Sequence, residues 1–200
     1  MDRTSYCLMR QDARPEYWTA MRVYGVTPEA LLAGAPLEGV EEPVRVTLSA
    51  WAQGYTHILE RPGLVVSDEI RKVLERAGVD NIQYFEAQLH IEFAEEPIRG
   101  YWLANVIGMV SCVDPDASTF EPSFGSETGE LRGFEVDPAQ TYGLSLFRLA
   151  EDPRLVVVSN RVRAALEATH LRGLLFQETR TYDGYQATSE PPPAEERESE

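Results

Sequence analysis

Cysteine and lysine are scarce in this sequence, which holds two cysteines and a single lysine in 200 residues. A secreted domain of this size that depended on disulfides would usually carry more cysteines. We therefore expect Cys7 and Cys112 to be reduced, buried thiols. Chemistry built on a lysine would have one candidate, Lys72.

Long apolar runs are also missing. No segment approaches the roughly 18 consecutive apolar residues of a membrane span. The chain begins with Met1, Asp2, Arg3 and Thr4, and no apolar signal core follows. The sequence therefore predicts a cytoplasmic protein that makes no contact with a membrane.

Positively charged residues are few: the sequence has 18 Lys and Arg residues and 33 Asp and Glu residues, which gives a formal net charge of -15. Residues 190–200 contain five glutamates against Arg197, so this segment holds -4 and leaves -11 on residues 1–189. An acidic body repels phosphate backbones, so nucleic acid is not an expected partner. It attracts basic proteins by long-range steering. Solubility alone is the alternative reason for the charge.

The glycine motifs of common enzyme sites are absent. Neither GxGxxG nor GxxxxGK, the loops that hold nucleotide phosphates, occurs in the chain. Residues 143–147 lack the last glycine of the GxSxG nucleophile motif. His57, His90, His170 and the two cysteines do not fall at the short paired spacings of a zinc site. No cofactor and no metal is therefore expected.

Histidine chemistry is the enzymatic alternative. His90 and Glu92 share one face of a predicted strand at 88–93, in which apolar residues alternate with them. This pair, or His57 with a nearby carboxylate, would supply the general acid and base of an unknown reaction. The alternation is equally typical of side chains that face solvent. A structural subunit of a complex is a third option.

An internal repeat is the most informative pattern. Leu64 to Arg76 aligns with Val156 to Ala168 at a constant offset of 92, with six identical positions. In both copies a β-branched apolar run predicts a strand, Ser67 or Ser159 predicts a helix N-cap, and apolar residues follow at helical spacing. A second apolar stretch completes each strand, helix, strand unit. Unless the match is chance, the two units pack against other strands or against each other.

Together these patterns predict an α+β fold with a mixed or antiparallel sheet, strand-helix-strand pseudo-repeats at about 64–86 and 156–178, and an irregular N-terminal region. Residues 1–185 are expected to form one globular domain, or two sub-lobes, and 186–200 a disordered acidic tail. Asp114 to Gly133 is punctuated by proline and glycine, which predicts a long loop. Its carboxylates do not have the spacing of a calcium-binding EF-hand.

The order of several short motifs resembles a known family. The motifs are Leu64 to Ser67 with its helix, Tyr101 to Val106, Cys112 to Asp114 with Ser118, Leu146 to Leu149, and Val157 to Ser159 with Leu166 and Gly173. Over residues 60–178 they resemble the myxobacterial-type immunity family, the eleventh class of polymorphic-toxin immunity proteins. The resemblance implies an antitoxin that binds and neutralises a cognate toxin of a secretion or contact-dependent competition system, without catalytic residues.

Charge suggests how such a protein would act. Many antibacterial toxins are nucleases with basic clefts, and an acidic protein can occupy such a cleft by charge complementarity. The expected partner is therefore a basic toxin domain, with a nuclease as one option. We hypothesise that seven carboxylates of the predicted loop and of an acidic turn face it. They are Glu95, Glu96, Asp114, Asp116, Glu121, Glu127 and Glu130.

Overall fold

The computed structural model describes residues 5–49, 54–92, 94–121, 130–185 and 187–189. Within these ranges it contains three α-helices and thirteen strands, which confirms the predicted α+β fold. The helices are α1 Pro28–Leu32, α2 Asp68–Arg76 and α3 Asn160–Glu167. The strands are β1 Tyr6–Gln11, β2 Ala20–Val23, β3 Val44–Leu48, β4 Ile58–Leu59, β5 Val65–Ser67, β6 Ile82–Ile91, β7 Ile98–Val106, β8 Met109–Val110, β9 Thr119–Glu121, β10 Glu130–Arg132, β11 Leu146–Leu149, β12 Val156–Ser159 and β13 Leu174–Glu178.

The larger sheet has six strands in the order β2-β3-β6-β7-β5-β4. Its centre is the antiparallel pair of β6 and β7, in which Ile82 lies opposite Val106. Only β3 and β6 are parallel neighbours, so the sheet is mixed, as predicted. β6 is one strand of ten residues. It contains both the last strand of the first repeat and the strand predicted at 88–93, of which it includes residues 88–91. Phe93 lies outside the described residues.

The second sheet has five strands in the order β13-β1-β12-β11-β8. β1 is antiparallel to both of its neighbours, with Tyr6 opposite Ser159 on β12 and Met9 opposite Phe176 on β13. The N-terminal region therefore supplies an internal strand of a sheet whose other strands come from the second half of the chain. Between β1 and β3 the chain has only the short β2 and α1, joined by irregular segments.

Both predicted repeats are strand-helix-strand units, β5-α2-β6 and β12-α3-β13. In each unit the two strands flank an antiparallel strand from elsewhere, which is β7 for the first copy and β1 for the second. Ser67 and Ser159 both hold the N-cap position with extended backbone angles. An extended residue before the first helical turn is the geometry that a strand needs to pass directly into a helix.

The central core lies where α2 and α3 meet the inner faces of both sheets. It contains Leu74 of α2 and Leu166 of α3, both inaccessible to solvent, together with Val66 and Val158 from the preceding strands. The two copies therefore pack against each other, which was one of the two predicted arrangements. Two further clusters cover the outer faces of the sheets. Because both faces are buried, the strands of the repeats are continuous apolar runs without alternation.

The prediction of one long loop at 114–133 is wrong for the residues that the structure describes. Pro115–Ala117 forms a turn of 3-10 helix, and β9 pairs with β10 as a separate antiparallel sheet. The cause is Leu131, which is 5% exposed and packs into the outer cluster of the five-stranded sheet. The burial of this side chain favours a strand in spite of the nearby glycines. Residues 122–129 lie outside the described ranges.

Part of the segment predicted as a tail contacts the N-terminal region. The Ala13 amide donates to the Ala187 carbonyl at 2.8 Å, and the Ser189 hydroxyl donates to Asp12 Oδ2 at 2.7 Å. Residues 186 and 190–200 lie outside the described ranges. The domain boundary at 185 and the disorder beyond it stay predictions.

Candidate functional surfaces

Four of the seven predicted carboxylates lie on or next to β9 and β10, which we call the acidic strand pair. Glu121 and Glu130 are exposed and directly opposite each other in the register. Arg132 donates from Nε to Glu121 at 3.0 Å and from Nη2 to Glu130 at 3.1 Å. The hydrogen bond to Glu121 raises the pKa of Arg132 above its ordinary value. One guanidinium therefore fixes both carboxylates without cancelling their combined charge.

The turn before β9 carries the other two. Asp114 Oδ1 accepts a hydrogen bond from the Asp116 amide at 3.0 Å and so caps the short 3-10 helix. Asp114 is half-buried, whereas Asp116 is exposed. A carboxylate at this position satisfies a backbone donor that would otherwise lack a partner. Asp114 therefore has a structural use that is independent of any partner protein.

Glu95 and Glu96 lie elsewhere in the fold. Glu95 and Glu96 are exposed in the turn between β6 and β7, which belongs to the six-stranded sheet. β7 alone spans nine residues, which is about 30 Å at the usual rise per residue. Glu127 lies outside the described residues. Binding of a partner by any of the seven carboxylates stays a prediction.

Two arginine–aromatic clusters were missed by sequence reasoning. In the first, the Tyr24 ring lies between two guanidinium groups, with Arg22 Cζ at 4.8 Å and Arg45 Cζ at 5.4 Å from the ring centroid. Arg45 is brought there by the pairing of β2 with β3, since the Tyr24 amide donates to the Arg45 carbonyl at 2.9 Å. The sequence distance between the two residues hides this contact, and only the strand register would have revealed it.

The second cluster joins the segments around Tyr17, Tyr55 and Arg172. The Arg172 guanidinium lies 5.5 Å from the Tyr17 ring centroid and 5.1 Å from that of Tyr55. Trp18 and His57 meet Tyr55 edge to face, with ring centroids 6.5 and 5.5 Å away. Tyrosine, tryptophan and arginine are the residues most enriched among those that dominate binding energy at protein interfaces. Tyr55 and Arg172 are exposed and available for such a contact.

Comparison with known proteins decides the family. A family model described as the Immunity protein family (Imm11) matches residues 9–181. The chain belongs to this immunity family. The resemblance found in the sequence is thereby confirmed, and the match reaches further toward the N-terminus than the residues 60–178 that suggested it. No curated protein matches the chain.

The Imm11 match covers nearly all of the described fold. It begins in β1 and ends at the turn after β13, so it includes both sheets and both repeats. Membership of an immunity family suggests an antitoxin role, which means binding a toxin protein, and favours an inhibitor over an enzyme. The framework residues that carried the resemblance, such as Val66 and Leu166, are buried and do not locate a binding surface.

The described surroundings of His57 in this Imm11 chain do not have the geometry of a catalytic triad. Its Nδ1 lies 2.9 Å from Ser67 Oγ and 3.6 Å from Glu69 Oε2. A catalytic triad needs the nucleophile and the carboxylate on opposite ring nitrogens, whereas here both approach the same one. Ser67 is 2% exposed, and its hydroxyl also accepts from the Ile70 amide at the start of α2. Burial lowers the pKa of His57, and the charge of Glu69 partly opposes that shift.

His90 and Glu92 lie in sequence on either side of Ile91, the last residue of β6, and His90 points away from the outer cluster that contains Leu89. His90 is half-buried, Glu92 is exposed, and both line a surface depression of about 260 Å³ with Met21 and Arg45. Leu89 points the other way and is fully buried, as the alternation predicted. No hydrogen bond links His90 to Glu92 in the described structure, so the pair is not preorganised for proton transfer.

Several other properties bear on function. Among the described residues, no group of three or more His, Cys, Asp and Glu side chains is placed to hold a metal ion. Both cysteines are buried free thiols, and burial raises the pKa of each to about 12. At neutral pH they are therefore protonated and poor nucleophiles. None of the helices in the described ranges combines the length and the apolar character needed to cross a bilayer.

Proposed function

We propose that this immunity protein is the antitoxin of a polymorphic toxin system, and that it neutralises one cognate toxin domain by binding it in the cytoplasm of the producing cell. The observation that carries the proposal is the family match over residues 9–181. The net charge of -15 adds to it, because it fits a basic protein partner and disfavours nucleic acid.

The proposed mechanism is occlusion of a basic active-site cleft, as on a nuclease, by the acidic strand pair. Arg132 holds Glu121 and Glu130 in place, so these carboxylates lose little conformational freedom on binding. Charge supplies the association rate and the orientation. Most of the affinity comes from a few desolvated aromatic and arginine anchors, for which the exposed Tyr55 and Arg172 are suited.

The first experiment tests neutralisation itself. The C-terminal domain encoded by the neighbouring gene is expressed in a bacterium with and without this protein, and growth and copurification are measured. We expect growth to be restored and a stable complex to be recovered. Toxicity without rescue would contradict the proposal. Rescue that is lost in His57→Gln or His90→Gln variants, with binding intact, would instead favour an enzyme.

The second experiment tests the acidic strand pair. Glu121→Gln with Glu130→Gln removes two charges, and the matched control, Glu38→Gln with Glu41→Gln, removes two exposed carboxylates elsewhere. The first pair should slow association about three- to tenfold at low salt and flatten its salt dependence, as expected for loss of steering charges. Equal effects of the two pairs would show that net charge acts without a defined surface.

A further inference from the structure

β2 is the edge strand of the six-stranded sheet. It pairs with β3 on one side, and no described strand pairs with its outer edge. The Tyr24 amide donates toward β3, so the preceding amide of Val23 points toward the outer edge. The register shifts between Ala20 and Arg22, and this bulge leaves both Met21 and Arg22 exposed. An unpaired strand edge offers backbone donors and acceptors to another extended chain.

An apolar surface accompanies this edge. Met21 is 65% exposed and lines three adjoining depressions of about 520, 340 and 260 Å³. The two larger ones are walled by Pro28 and Pro62, with Leu31 in one and Leu32 in the other. Methionine is adaptable and is favoured at binding surfaces. Space beside the edge is therefore available for side chains of a bound segment.

The charge of this edge is opposite to that of the whole protein. Arg22 and Arg45 flank Tyr24, which is 38% exposed, and neither arginine forms a salt bridge within the described ranges. The third depression also contains His90 and the carboxylate of Glu92.

Other charged side chains near the two larger depressions are already engaged. Arg154 is bound to Asp152 at 2.7 Å, and Glu60 is bound to the buried Arg10 at 2.9 Å. Arg61 lines the same depression as Glu60 and Arg154. Since the charges of those two residues are balanced by their partners, the excess charge of this depression is positive.

We infer that the outer edge of β2 is a docking site for an extended acidic segment of another protein. The segment adds as a further strand, so its backbone bonds the outward-facing groups of β2 and its carboxylates meet Arg22 and Arg45. A second copy of this chain fits less well, because pairing two β2 edges would bring like-charged arginines together. The inference goes beyond the proposed function, since this surface is separate from the acidic strand pair and does not depend on the partner being a toxin.

The test uses a peptide probe and the full chain. A fluorescein-labelled heptapeptide of alternating glutamate and valine is titrated with the protein, and fluorescence anisotropy is measured. Three peptides are compared: the glutamate peptide, the same peptide with lysine for glutamate, and the glutamate peptide N-methylated at alternate amides. We expect only the first to bind with its glutamates toward the arginines, because the lysine peptide is repelled and the N-methylated one has lost the backbone donors along one edge of the strand.

Protein variants locate the site. Arg22→Glu with Arg45→Glu should weaken binding of the glutamate peptide by about tenfold or more, which is typical for loss of two charge-assisted contacts. The matched control, Arg76→Glu with Arg99→Glu, reverses two exposed arginines away from β2 and should change it little. Hydrogen exchange of the Val23 amide should slow when the peptide is bound.

Three results would overturn the inference. One is equal binding, or no binding, of the glutamate and lysine peptides. Another is equal loss in the two double variants. The third is self-association of the unmodified protein in sedimentation experiments, if the Arg22 and Arg45 substitutions abolish it. The β2 edge would then pair with a second copy of this chain. The probe contains no toxin, so failure here leaves the rescue experiment to decide the proposed function separately.

Discussion

Ser67 and Ser159 occupy the same position in the two strand-helix-strand copies, but only Ser67 uses its hydroxyl as a cap. Ser67 Oγ accepts from the Ile70 amide and also contacts His57 Nδ1. Ser159 Oγ is buried and has no hydrogen-bond partner among the described residues. The first copy also places acidic Asp68 and Glu69 in the first helical turn, where they complement the helix dipole, and the second has no acidic residue there.

Other contacts are the same in both copies. Arg71 pairs with Glu75 at 2.8 Å, and Arg163 pairs with Glu167 at 2.9 Å. Each arginine also lies over the aromatic ring of the strand that follows, Tyr84 at 5.0 Å in the first copy and Phe176 at 5.8 Å in the second. These rings are 92 residues apart, like the arginines.

The comparison separates framework from surface. Residues repeated at the offset of 92 make contacts within each unit or in the shared core, so the repeat explains the fold and not the binding. The acidic strand pair and the β2 edge both lie in segments outside the repeats. These two surfaces therefore belong to the unrepeated parts of the chain. The cluster of Tyr55 and Arg172 includes one residue of the second unit, but the first copy has Asp80 in place of Arg172, so that surface is not repeated either.

The largest expected effect tests whether the copies are equal partners in the core. Leu74→Ala and Leu166→Ala each remove a fully buried side chain from the shared cluster. Each should lower the free energy of unfolding by about 2–5 kcal/mol, by lost transfer energy and a residual cavity. Denaturant unfolding measures both. A large loss for one leucine and almost none for the other would show that only one copy supports the core.

A smaller and asymmetric effect is expected at the two caps. Ser67→Ala should cost about 1–2 kcal/mol, because it removes the bond to the Ile70 amide and leaves His57 without its nearest partner. Ser159→Ala should be neutral or slightly stabilising, since it removes a buried hydroxyl that has no partner in the described structure. Thermal and denaturant unfolding of the pair measure the difference, and equal losses would contradict it.

At the C-terminal ends of α2 and α3, substitutions at equivalent positions should change stability in opposite directions. Gly78 and His170 are 92 residues apart and both have positive φ, +75° and +50°. Gly78→Ala should destabilise the protein by about 1 kcal/mol, because alanine is strained at a positive φ. Steric clash adds nothing to this cost, since the new Cβ would meet no atom closer than the Arg161 guanidinium at 4.0 Å. His170→Gly should stabilise by up to about 1 kcal/mol. Stabilisation by Gly78→Ala, or a loss on His170→Gly, would show that φ does not control these ends.

The fold could be predicted from the sequence where the signal is local. The strand, the capping serine and the helical spacing of Ile70 and Leu74 are read within one segment, and the offset of 92 then identifies the second copy. The strand that each unit encloses could not be predicted. β1 pairs Tyr6 with Ser159, and no periodicity in the intervening chain encodes that distant contact.

Of the candidate surfaces, too, only the local properties could be predicted from the sequence. Exposure of Glu95, Glu96, Asp116 and Glu121 follows from their charge and needs no tertiary information. The salt bridges that hold Glu121 and Glu130 on Arg132, and the position of Tyr24 between two arginines, depend on strand register. Register is a property of paired strands, so a single segment does not reveal it.

The smallest expected effect distinguishes the two arginines by their response to salt. Arg71 lies 3.9 Å from the Trp102 ring as well as near Tyr84, whereas Arg163 binds a second carboxylate, Glu178. Arg71→Gln and Arg163→Gln should each cost about 0.5–1 kcal/mol at low salt. In about 1 M NaCl the cost of Arg163→Gln should fall the more steeply of the two, because this arginine has two ion pairs that salt screens and a longer ring contact, to Phe176 at 5.8 Å.

The cost of Arg71→Gln should persist in the same salt, since contact with an aromatic face is less sensitive to screening than an exposed ion pair. Unfolding of both variants at two salt concentrations gives the comparison, and Glu75→Gln and Glu167→Gln serve as controls that remove the helical ion pair alone. If salt reduced both arginine effects equally, the ring contacts would contribute nothing. Arg71 and Arg163 would then stabilise the two copies through their ion pairs alone.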